Sequence, residues 1–171
     1  MDWDDVRQIA EQYLEKGIDN LVRDGKIVPT YFMVTGRGVS VIPIEKHFTS
    51  ERSKRAAALA IRKIALEQEA LAVLLIKEGW YSLHSAPNGS PARPILPVEM
   101  PADQAGCVEA LSINLGMPDG RNNLLLGKIV RNDTGTPTGV EECAWTLPEP
   151  RQDLPTQVIL PWEELLTGTI H

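Results

Sequence analysis

Leu71-Ala72-Val73-Leu74-Leu75-Ile76 is apolar at every step and runs directly into Lys77-Glu78-Gly79-Trp80-Tyr81. A strand with one wet face alternates apolar and polar residues. A strand that is apolar throughout has both faces dry. The hexapeptide therefore marks the centre of a β-sheet covered above and below. The polar and aromatic residues that follow mark where that strand, read as Leu71–Glu78, leaves the core.

Upstream of this strand, Glu51 to Ala70 reads as a helix capped by Thr49 or Ser50. Ala57, Ile61, Ile64 and Ala65 form its main apolar face, and their small side chains suit close packing on a sheet. Leu59 and Leu66 form a second stripe nearly opposite, flanked by Arg55, Arg62 and Lys63. A helix with two apolar stripes touches two things. Before it, Ile27–Val34 and Val39–Ile44 flank Thr35-Gly36-Arg37-Gly38 and read as a β-hairpin. Pro29 and Pro43 cannot donate ladder hydrogen bonds, which places the hairpin near a sheet edge. Asp4 to Arg23 reads as an amphipathic helix, with Val6, Ile9, Ala10, Tyr13, Leu14, Ile18 and Leu21 on one half of the wheel. Arg7 intrudes on that half. Early aspartates suit the helix start, and Asp24-Gly25 ends it.

Downstream, Leu83–Gly106 holds five prolines in 24 residues. This proline-rich loop, over 84–106, is too long for a plain connector. Val108–Leu115, Leu124–Arg131 and Val140–Leu147 then read as a meander joined by turn-forming residues. Glu109, Leu111, Ile113 and Leu115 share one face. Ala110, Ser112 and Asn114 share a more polar face, expected to be half wet. Thr156–Leu160 suits a short edge strand and Pro161–Leu166 a closing helical turn.

These elements predict a single α+β domain over residues 1–171. The expected form is a mostly antiparallel sheet of about six strands with the two main helices packed on one face. The early strand pair, the alanine-rich helix and a strand ending in Glu78-Gly79-Trp80 together resemble small uncharacterised proteins of bacterial and phage genomes. The resemblance spans residues 20–145 and implies no activity.

Net charge is −6 with pI about 5.1, a balance that opposes general binding to nucleic acid or anionic membranes. No apolar run approaches the ~20 residues of a membrane span. Two cysteines, Cys107 and Cys143, are too few for a disulfide scaffold, and Met-Asp-Trp-Asp-Asp is the wrong charge for a leader. A cytoplasmic location with free thiols is the expectation.

The candidate ligand-binding residues are Glu78, Trp80, Tyr81 and His84, at the end of the central strand beneath the proline-rich loop. There Glu78 beside aromatics would act as a general acid or base with His84. The competing account has the aromatics plugging the core and Glu78 paired with an arginine. Arg52, Lys54 and Arg55 form a candidate anion-binding cluster at a helix start, suited to a nucleotide or phosphate. Interspersed glutamates favour a solvated, salt-bridged face instead. His47, His84 and His171 lack ligand spacing, so no metal site and no cofactor are expected. The leading functional expectation is a non-catalytic interaction protein, self-associating as a homodimer or binding a protein partner. Its motive is surplus apolar surface. Whether the chain is an enzyme stays open at this stage.

Overall fold

The computed structural model describes residues 1–44, 50–84, 93–95 and 107–145. Helix α1 (Trp3–Asp24) leads into strands β1 (Thr30–Thr35) and β2 (Gly38–Pro43), then helix α2 (Glu51–Glu67). Strands β3 (Ala72–His84), β4 (Arg93–Ile95), β5 (Cys107–Gly116), β6 (Asn122–Arg131) and β7 (Pro137–Trp145) follow. All seven strands belong to one antiparallel sheet in the order β2-β1-β3-β5-β6-β7, with β4 alongside the far end of β3. The class is α+β. The expected tail strand and closing turn lie outside the described residues, as does the proline-rich loop apart from His84, which ends β3, and β4.

Residues 72–76 of the apolar hexapeptide occupy the centre of this sheet, and Leu71 lies half-buried in the bend before β3. Residues 72–76 pair with β1 on one side, and residues 73–82 pair with β5 on the other. Ala72 through Ile76 are all buried. The strand does not stop at Glu78. It continues to His84, so Glu78-Gly79-Trp80 lies mid-strand, held by the β5 ladder after β1 has ended.

The placement of both helices on one face is corrected by the core. Val6, Ala10, Leu14 and Leu21 of α1 pack with Phe32, Val34, Leu74, Ile76 and the inward residues of β5. Ala58, Ile61 and Ala65 of α2 pack with Tyr31, Met33, Val73 and Leu75. Odd and even positions of the same strands thus meet different helices, one on each side of the sheet. The connection explains it. Strands β2 and β3 both run antiparallel to β1 and hence parallel to each other, so α2 is the crossover of a β-α-β unit. Such crossovers are almost always right-handed, which assigns α2 a face and leaves the other to α1.

A second correction concerns β5. Its polar face is dry: Ala110, Ser112 and Asn114 are 2%, 0% and 4% exposed. Ser112 is satisfied by donating to the Lys77 carbonyl at 3.1 Å.

Both helices begin with a reciprocal cap. The Asp2 and Asp5 side chains each accept the other's backbone N–H at 3.0 Å, and Ser50 and Ser53 do the same for α2. Gly25 closes α1 in the left-handed conformation (φ 79°). At Gly17 the helix comes so near β3 that a Cβ would run into the Ile76 side chain. At the opposite edge, Trp145 of β7 meets Trp3 edge-on at 6.2 Å and donates its indole N–H to Glu11 at 2.8 Å. Arg7, the intruder on the apolar half of α1, lies over the Trp145 ring at 5.4 Å.

Candidate functional site

Helix α1 rests on β3, β5 and β7. Beneath its C-terminal half, on the β1–β2 side, a groove of about 500 Å³ remains. Phe32 of β1, Val41 of β2 and Ile76 of β3 contribute to it from the sheet, Tyr13 from α1, and Ile27 and Val28 from the segment between them. One face of Tyr13 stacks on Phe32, with ring centroids 4.0 Å apart. The Lys16 ammonium stands 5.0 Å from the Tyr13 ring centroid. That spacing follows from the helix, which sets residues three apart on neighbouring positions.

The charged residues of the groove are Lys16, Arg23, Lys26 and Asp24. Arg23 grips Asp24 through two nitrogens at 2.7 and 2.8 Å and reaches Asn20 Oδ1 at 2.8 Å. Hydrogen bonding to Arg23 holds the Asp24 carboxyl below its usual range, and the same contact raises Arg23. Lys16, Arg23 and Lys26 bring basic side chains to this rim, although the chain as a whole carries −6.

Glu78 does not line this groove, yet it helps build it. Its carboxylate accepts the backbone N–H of Ile27, a lining residue. The other carboxylate oxygen lies 3.6 Å from Arg131 of β6. Arg131 is held mainly by Glu109 of β5 in a two-pronged pair at 2.6 and 2.7 Å, which raises its pKa. The arginine partner considered for Glu78 is therefore present. Trp80 is half-buried on the same face of β3 as Glu78. Tyr81 and His84 belong to β3, but their side chains lie outside the described residues.

Arg52, Lys54 and Arg55 occupy the first turns of α2, where the Ser50–Ser53 cap already takes the Ser53 amide. The second stripe of α2 faces outward, with Leu59 38% and Leu66 60% exposed. Among the described residues no cluster of three His, Cys, Asp or Glu could hold a metal, and no helix is long and apolar enough to cross a membrane.

Among the described residues, strand β2 is one edge of the sheet. The Val34 carbonyl bonds to Leu71 on the β3 side, so its β2 partner Val39 turns its main chain away from β1. Ile44 donates to the Pro29 carbonyl, which gives the same alternation from the other end. Val39 and Val41 therefore present N–H and C=O groups outward. Their side chains are 36% and 58% exposed.

Sequence reading missed Tyr13, Lys16 and Val41 as site residues. The available signal was the three-residue spacing of an aromatic and a lysine on α1. The chain matches no family model, no curated protein and no solved structure.

Proposed function

We propose that the protein acts by binding, without catalysis, and that its partner is a second copy docked edge to edge along β2. The observation that carries this reading is the outward main chain of Val39 and Val41, flanked by their exposed apolar side chains. Among the described residues no strand lies beyond β2, and an open edge strand is a template for another strand. In an antiparallel pairing centred on Ser40, Val39 of one copy faces Val41 of the other, and each offers one donor and one acceptor. Such a contact is self-complementary, as a two-fold interface requires. Pro43 has no N–H to offer and ends the run, which keeps the pairing short and the sheet from growing further.

Light scattering behind size-exclusion chromatography tests it, with Val41→Pro as the variant. That substitution removes an N–H that β1 does not use. The expected result is a concentration-dependent dimer for the parent and a monomer of unchanged melting temperature for the variant. A parent protein that stays monomeric at millimolar concentration overturns the reading.

A further inference from the structure

We infer that the groove between α1 and the β1–β2 hairpin binds a free small molecule with an apolar body and a single anionic group, of the medium-chain or aromatic carboxylate class. The site goes beyond the β2 contact and draws only Val41 from that strand. Its volume of about 500 Å³ lies within the range of small-ligand clefts. Phe32, Ile76, Ile27, Val28 and Val41 offer the ligand an apolar surface, and Tyr13 braced on Phe32 gives a flat platform that costs little ordering on binding.

Charge decides the ligand class. With Arg23 and Asp24 gripping each other, Lys16 supplies the positive charge at the aromatic end of the rim. Lys16 is the cation beside the aromatic platform, so a carboxylate whose apolar part rests in the groove comes within its reach. A cationic ligand would meet like charge at the same place. A neutral ligand would gain from the apolar surface but not from the rim.

Octanoate is the probe and octanamide its neutral counterpart, titrated into isotopically labelled full-length protein and followed by two-dimensional NMR. Octanoate is expected to shift the Tyr13, Ile27 and Val41 resonances saturably and to bind at least tenfold more tightly than octanamide. Lys16→Glu, at an exposed helix position, should abolish that preference and leave octanamide binding unchanged. Equal affinity for the two probes overturns the inference, as does an octanoate response unaffected by Lys16→Glu or absent from the groove resonances. Repeating the titration on a Val39→Pro variant, which loses an N–H that also faces away from β1 and whose side chain is not part of the groove, separates this site from the β2 reading. Groove resonances that still respond there uphold the site whether or not the parent dimerises, and loss of the response assigns it to the dimer and overturns it.

Discussion

The carboxylate of Glu78, in the middle of β3, accepts the backbone N–H of Ile27, 51 positions earlier in the chain. This bond ties the α1–β1 connection to the central strand and fixes one wall of the groove. Glu78→Ala leaves that part-buried N–H without its acceptor, and the loss should be about 1–3 kcal/mol in urea denaturation. Glu78→Gln keeps an acceptor oxygen and gives up only the attraction to Arg131, so it should lose under about 1 kcal/mol. Equal losses in the two variants would show that the bond to Ile27 contributes nothing.

Gly17 sets how closely α1 approaches the sheet. Alanine there gains about 1 kcal/mol of helix propensity. It also forces its Cβ against the Ile76 side chain, in a core where overpacking costs about 1–3 kcal/mol. Gly17→Ala alone should therefore be neutral to destabilising. In an Ile76→Val background the obstructing Cδ1 is gone, and the same change should become stabilising. Failure of the sign to reverse would mean that the contact with Ile76 does not set the helix position.

Trp145 joins the last described strand to the first helix. Trp145→Phe keeps a ring against Trp3 and Arg7 but loses the N–H bond to Glu11, a change worth about 1 kcal/mol. A Trp145→Phe and Glu11→Ala double-mutant cycle should return a coupling energy of that size. A coupling indistinguishable from zero would leave the bond without energetic weight.

Burial in the α2-side core raises the pKa of the Tyr31 phenol well above its usual range. The unfolded chain ionises this group near the ordinary value of about 10. Above that pH the unfolded state releases a proton that the folded state keeps, so stability is present below pH 10 and falls as pH rises. Tyr31→Phe should reduce this alkaline slope by up to about 1.4 kcal/mol per pH unit. Parallel slopes for parent and variant, measured by denaturation between pH 9 and 11, would show that Tyr31 does not carry the effect.

Where the sequence reading succeeded, the signal was local. The hairpin at Thr35-Gly36-Arg37-Gly38, the meander after Cys107 and the two-striped α2 all follow from periodicity and turn residues. Pro43 correctly indicated an edge strand. Glu78 could be singled out because an ionisable residue followed an apolar run. Its partners Ile27 and Arg131 could not, since Ile27 reaches it from the α1–β1 connection and Arg131 from β6 through its place beside β5. Tyr13 was assigned to the apolar half of α1 and Lys16 to the polar half. Both readings suit the helix, but neither reveals a groove formed with a hairpin many residues away.

The sequence alone determined that the apolar run ending at Ile76 passes, from Ala72 on, through the middle of a sheet dry on both sides, because side-chain alternation is a property of the strand itself. It even carried a hint of two covers, since Tyr31, Phe32, Met33 and Val34 are apolar at both parities. Which helix covers which side was decided only by the tertiary structure. The handedness of the crossover from β2 through α2 to β3 assigns the faces, and the close seat of Gly17 on Ile76 settles where α1 lies. Periodicity tells which residues of one element look the same way; what they look at depends on how distant parts of the chain come together.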